Sequence, residues 1–376
     1  MTRRRGFGMT PFRCHNEPPK CVGSLSKARV NGSARELLRG FLLLPSRTRH
    51  LDHIAGELIM AAAALVWSSG CYAADPLTGV PAWLRAHVGY NDGQIAPVVL
   101  ERARALYLRK MRAGTASNPC YFAMDATRPS KLSNGQLGRR FYIICEAKRS
   151  FEAISAGHGG GRRLLGIADF SNGKVCARNF GNAMSSSLTA GGAYVTSEQT
   201  TSFKGYYRRP GGQHAPLMRS FVQFDGEGET ANARKREIGG HAAVLLRKAC
   251  LSKKPDSPYA DPKGFVPLGV IENYSDGRSS GCTSWSPGDA ARIVGMLKEK
   301  AATLYIYPES RDIEAVAKAV KAKSPLSASG AYWNASCLAA IGAPRFWAKE
   351  QLEPVVARYE KAHPAPPSRP TPICAR

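Results

Sequence analysis

Short apolar runs, each closed by a glycine-rich or polar connection, set the strongest limit on how this chain can fold. They are Cys120–Asp125, Arg140–Cys145, Ser150–Ser155, Gly191–Thr196, Phe221–Phe224 and Thr303–Tyr307. Runs of this length, rich in aromatic and β-branched residues and bounded by turn formers, read as strands rather than helices. The connections carry the matching chemistry, as in Pro129–Gln136 and the run Gly157-His158-Gly159-Gly160-Gly161. The pattern predicts a mostly β domain with flanking helices, an α+β class.

Helical periodicity flanks these runs. In 96–111, Val99, Ala103, Leu106 and Met111 recur on one face. After Trp285, Ser286 is a natural N-cap, Pro287 suits the first turn and Asp289 complements the dipole, so a helix is expected over 289–300. Beyond Pro308 the composition turns Ala/Lys-rich, and 312–323 and 347–361 read as helices. The expected organisation is a leader over 1–74, a helical extension over 75–118 and a main domain over 119–310. A helical extension over 311–362 and a disordered Pro-rich tail over 363–376 follow.

Residues 58–74 resemble a secretory signal, with an apolar core too short to span a bilayer and a small-x-small site at Cys71-Tyr72-Ala73. Export to the periplasm or cell envelope is therefore expected, with membrane contact only through this segment. Cleavage after Ala73 would leave seven of the ten cysteines: Cys120, Cys145, Cys176, Cys250, Cys282, Cys337 and Cys374. An odd number leaves at least one thiol free. Sequence does not say which of the others pair, and Cys120 and Cys145 also suit a core.

The net charge is +25, and residues 1–57 hold eleven Lys/Arg against four acids. Such a balance invites a nucleic-acid reading. No zinc-finger spacing, RNA-binding aromatic motif or long basic helix supports it, so no nucleic-acid partner is expected. The excess suits a monomer working beside an anionic polymer or surface.

One cysteine stands apart. Cys282 sits in Asp276-Gly-Arg-Ser-Ser-Gly-Cys-Thr-Ser-Trp285, on a Gly/Ser turn just ahead of a helix start. His241, in Gly239-Gly240-His241-Ala242, is a candidate base for it. A helix N-terminus aimed at Cys282 would favour its thiolate. Backbone N–H groups near Gly281 and Cys282 are natural oxyanion donors. No Cys-x-x-Cys occurs and His158, His214 and His241 are far apart, so no metal and no cofactor are expected. The Gly157–Arg162 run lacks the Lys-Ser/Thr of a phosphate loop.

Gly277-Arg278-Ser279-Ser280-Gly281-Cys282 resembles the Gly-Arg-Ser-x-Gly-Cys run of the murein L,D-transpeptidases, which carry a YkuD-like catalytic domain. Ser155–Gly161, Phe170-Ser171-Asn172 and Ser185–Tyr194 are similar to further blocks of that family, in the same order, over about 119–310. The resemblance implies a YkuD-like β-sandwich or barrel acting on peptidoglycan stem peptides. It implies Cys282 as nucleophile, His241 as base and Gly281 beside the oxyanion. Arg278, Ser279, Ser280, His158, Asn172 and Gly240 are implied as substrate-binding residues. Arg278 reads equally as a carboxylate anchor or a surface charge. The chain departs from the broader family at Ser280 and Ser284, where a His and an Arg are usual, and Lys253–Pro267 looks like an insertion. A catalytically inactive wall-binding relative is the alternative, and a cytosolic nucleic-acid binder driven by charge is a third.

Overall fold

A computed structural model describes residues 77–275, 277–298, 300–364 and 370–375. The expected leader and its cleavage site lie outside the described residues. The strands are β1 Tyr121–Asp125, β2 Phe141–Cys145, β3 Ser150–Ile154, β4 His158–Gly159, β5 Arg163–Leu164, β6 Ala168–Asp169, β7 Asn179–Gly181 and β8 Gly192–Arg208. They continue as β9 His214–Gly226, β10 Gly239–Ala242, β11 Val244–Lys253, β12 Phe265–Asn273, β13 Arg278–Ser279, β14 Thr283–Trp285, β15 Thr303–Tyr307 and β16 Arg345–Trp347. The helices are α1 Ala82–Arg85, α2 Pro97–Arg112, α3 Pro287–Met296, α4 Ser310–Lys321, α5 Ala335–Ile341 and α6 Lys349–Ala362. The class is α+β, dominated by sheet.

Ten strands form one mixed sheet in the order β14-β10-β9-β8-β15-β1-β2-β3, with β12 joined to β8 and β11 joined to β12. Its middle is buried on both faces, and the two-residue period of a strand sorts the side chains. Phe122, Met124, Phe141, Ile143, Leu304 and Ile306 enter one core, with Ile293 of α3 and Val316 of α4. Tyr121, Ala123, Tyr142, Ile144, Tyr305 and Tyr307 enter the other, beneath α2. Continuous apolar runs such as Tyr121–Met124 are what a doubly covered strand requires.

Helix α2 starts at Pro97, whose missing N–H costs nothing at the first position. It buries Val99, Leu100, Ala103 and Leu106, each large side chain contributing about 2 kcal/mol. Arg102 of α2 grips Asp312 of α4 through two bonds of 2.6 and 2.8 Å. Helix α3 has the start expected of it: Ser286 accepts from the Asp289 N–H at 3.2 Å.

Among the described residues three disulfides staple the fold: Cys120–Cys145, Cys176–Cys337 and Cys250–Cys374, closing separations of 25, 161 and 124 residues. Each such link stabilises by roughly 3–5 kcal/mol through the unfolded chain. Cys120 and Cys145 are thus bonded as well as buried. The expectation of a disordered tail fails for 370–375. There Cys374 is bonded to Cys250, and Leu251 pairs with the tail through bonds of 2.7 and 3.0 Å.

Two long hairpins exceed what the sequence suggested. Strands β8 and β9 run 17 and 13 residues, and β11 and β12 run 10 and 9. The presumed insertion at 253–267 is the tip of the second hairpin. These strands are half exposed over much of their length, so their apolar alternation is weak.

Candidate functional site

Cys282 and His241 come together through sheet pairing. Strands β10 and β14 are parallel neighbours with Gly240 opposite Thr283 and His241 opposite Ser284. Cys282 is the residue just before β14, so thiol and imidazole line the same cleft of about 680 Å³. Among the described residues Cys282 is the free cysteine, and it is partly exposed.

The turn that presents the thiol is built from backbone demands. Gly281 has φ +108°, and a Cβ there would meet Ile238 Cδ1 and Leu188 O at 3.0 Å. Only glycine fits without strain. Ser279 Oγ accepts from the Gly281 N–H at 3.2 Å and donates to the Cys282 carbonyl, clasping the turn. The Gly281 N–H is therefore engaged, whereas the Cys282 N–H makes no hydrogen bond among the described residues. Gly240 is required for another reason: a Cβ would lie 2.1 Å from the Trp285 ring.

The wall of the cleft is cationic. Lys174, Arg219, Arg236, Arg247 and Arg278 line it, against Glu237 and Glu272. Arg247 is paired with Glu272 at 2.5 Å. Arg236 donates to the Leu188 carbonyl at 2.7 Å and has no carboxylate partner among the described residues. Burial lowers its pKa.

Arg219 decides the state of the base. Its Nη2 lies 2.7 Å from His241 Nδ1 and 3.0 Å from the Tyr274 hydroxyl. His241 Nδ1 is also 3.0 Å from the Ala242 carbonyl. A guanidinium has only donors, so Nδ1 cannot accept from Arg219 and donate to Ala242 together. When Arg219 donates, the ring proton sits on Nε2. When Nδ1–H donates to Ala242, Nε2 is free to take a proton. Burial first, and the Arg219 charge second, lower the His241 pKa to about 4.

The thiol is not the low-pKa thiolate that the sequence suggested. Burial pushes Cys282 up, while the Gly239 N–H, Arg219 and Arg236 oppose that rise. Helix α3 begins at Pro287, beyond β14, and Ser286 caps its first turn. The Cys282 S–H faces the Glu237 carbonyl at 3.5 Å. The resting pair is thus a neutral thiol beside a neutral imidazole.

Arg219→Gln should raise the His241 pKa above about 4 while leaving it below the ordinary value of about 6.5, because burial persists. The neutral ring is the base, so the acid limb of any His241-dependent rate should move to higher pH. Imidazole NMR titration measures the shift directly, and an unchanged midpoint would remove Arg219 from this account.

The other implied residues divide in two. Arg278, Ser279 and Ser280 line the cleft with Cys282 and His241. His158, Asn172 and Gly240 lie beneath it. His158 is fully buried: Arg140 donates to its Nδ1 at 2.8 Å, and its Nε2–H donates to the Gly173 carbonyl at 3.1 Å. Burial and the neighbouring Arg140 hold its pKa well below the ordinary value. With both ring nitrogens engaged it braces β4, which pairs with the signature strand β13 through Arg278 and Ser279. Asn172 bonds to Gly159, Arg178 and Asn179 at 2.7–2.9 Å. Its carbonyl accepts from Arg278 at 2.6 Å. One Arg278 nitrogen is therefore structural.

Arg219, Arg236, Glu237 and Tyr274 were not legible as site residues. The basic run Arg234-Lys235-Arg236 just upstream of Gly239-Gly240-His241 was the one available signal. No group of three or more His, Cys, Asp or Glu able to hold a metal occurs among the described residues. Comparison with family models, with curated proteins and with solved structures finds no match for this chain.

Proposed function

We infer that the cleft performs acyl transfer of the L,D-transpeptidase type on a peptidoglycan stem peptide, on a YkuD-like domain exported to the periplasm or cell envelope. One observation carries the reading. Six of the seven cysteines beyond residue 74 are tied in disulfides, and the seventh opens beside an imidazole in the cleft. Paired cysteines also suit an oxidising compartment.

The chemistry starts from neutral partners. His241 Nε2, freed when Nδ1–H turns to Ala242, takes the thiol proton as Cys282 Sγ bonds to the carbonyl carbon of an amide at an L-configured centre. The Cys282 N–H, which has no other hydrogen-bond partner among the described residues, would bind the oxyanion, in a cleft whose cations favour negative charge. The imidazolium returns its proton to the departing amine of the D-residue, leaving a thioester. An amine of a second stem then attacks, His241 again carries the proton, and Sγ leaves. Water in place of that amine makes the reaction a carboxypeptidase step.

The second reading is a wall-binding relative without catalysis. The Arg219 contact with His241 Nδ1 and the raised thiol pKa favour it. Incubation with disaccharide tetrapeptide, read by mass spectrometry, separates the two. A cross-linked dimer or a trimmed tripeptide is expected; unchanged tetrapeptide after prolonged incubation would leave the wall-binding reading.

A further inference from the structure

The two long hairpins carry a feature that acyl transfer does not use. Segments 199–217 and 245–268 together hold eight Lys/Arg and two Asp. Their strands start at the cleft, where Arg219, Leu245, Arg247 and Glu272 line the wall. The far ends join into one surface: β12 runs parallel to β8 with Leu268 opposite Tyr206. The Cys250–Cys374 disulfide and the Leu251 pairing with the tail hold that surface rigid.

Its cations are interleaved with aromatic rings and lack acid partners. Lys254 lies 5.1 Å over the Tyr206 ring, Arg209 5.9 Å over Tyr207 and Lys253 4.8 Å over Phe265. Tyr259 stacks on Phe203 at 4.2 Å and is 40% exposed. Arg208, Arg209, Lys253 and Lys254 form no ion pair among the described residues, whereas many arginines elsewhere do. Arg208 is paired across the hairpin with His214. Burial first, then the Lys254 and Arg208 charges, lower the pKa of that histidine. Like charges crowded in this way repel one another and gain from a bound anion.

We propose that the paired hairpins form a binding face for an anionic glycan, with Arg208, Arg209, Lys253 and Lys254 meeting its carboxylate or phosphate groups and Tyr206 and Tyr259 meeting its sugar rings. Interleaved cations and rings also suit single-stranded nucleic acid. The disulfides favour the glycan, because they belong to compartments where nucleic acid is not the prevailing polyanion. A bilayer is disfavoured because the rings pack on each other and on cations. The face leads to the cleft, so a bound chain would lie beside Cys282, but the inference does not depend on what Cys282 does.

The test is direct binding by the full chain. Polygalacturonate supplies carboxylates and phosphomannan supplies phosphates, both on sugar rings, so the preferred polymer identifies the anion. Binding at about 50 mM salt should weaken steeply as salt rises. The combined variant Arg208→Gln, Arg209→Gln, Lys253→Gln, Lys254→Gln should bind about a hundredfold more weakly and lose about three from the log–log salt slope. Its circular dichroism and melting temperature should match the parent, since these side chains lie at the surface. A control with Lys318→Gln, Lys321→Gln, Arg358→Gln and Lys361→Gln, on α4 and α6, should bind as the parent does. The proposal falls if neither polymer binds, if the hairpin variant binds as well as the control, or if oligothymidine or phosphatidylglycerol vesicles bind more tightly than both polymers.

Discussion

Cys282→Ser should slow acyl-enzyme formation by at least about a thousandfold while the fold stays intact. A serine hydroxyl ionises far above a thiol and is a weak nucleophile without a strong base. His241, held at a pKa of about 4 by burial and Arg219, is a weak base. It can assist a thiol, and it cannot make an alkoxide. The two side chains are nearly isosteric, so packing around Gly281 and Ile238 should barely change. Intact-protein mass after incubation with tetrapeptide, or with a carbapenem as an acylating probe, reads the adduct. His241→Ala should cost about 10²–10⁴-fold through loss of proton transfer. A parent protein whose mass never changes, with Cys282→Ser equally inert, would remove covalent catalysis from the account.

Arg140→Met should destabilise the protein by about 3–5 kcal/mol, the range for breaking a buried charged network. The guanidinium is fully buried and donates to Ala156 O at 2.6 Å, Arg128 O at 2.8 Å and His158 Nδ1 at 2.8 Å. Burial lowers its pKa to about 10, and Asp125 partly opposes that. Methionine restores much of the volume but leaves three acceptors unsatisfied, each costing about 1–3 kcal/mol. Removing the desolvated charge offsets part of the loss. Urea unfolding measures the total, and a change below about 1 kcal/mol would mean that the three acceptors find other donors. The loss should be felt at the site as well, because His158 braces the strand beside Arg278 and Ser279.

Local chemistry was legible where a few neighbouring residues suffice. The runs at 121–125, 141–145 and 303–307 are strands because aromatic and branched residues fill both faces of a covered sheet. The start of α3 followed from Ser286, Pro287 and Asp289, which satisfy the first-turn N–H groups and complement the dipole. The long hairpins were missed because exposed Thr, Lys, Arg and Tyr give strands little apolar alternation. Their pairing comes from cross-strand bonds rather than from burial.

By itself the sequence determined the strand-rich α+β class, the glycine-bound turn at Gly281-Cys282 and the odd number, seven, of cysteines beyond residue 74. Each follows from short-range sterics, period or arithmetic. Tertiary structure decided which cysteines pair across as many as 161 residues. It also brought Arg219 and Arg236 to the thiol, placed His158 under the site rather than in it, and raised the Cys282 pKa. Those outcomes depend on distances and burial among residues remote in the chain. Charge–charge energies and desolvation vary with such distances, and no local pattern encodes them.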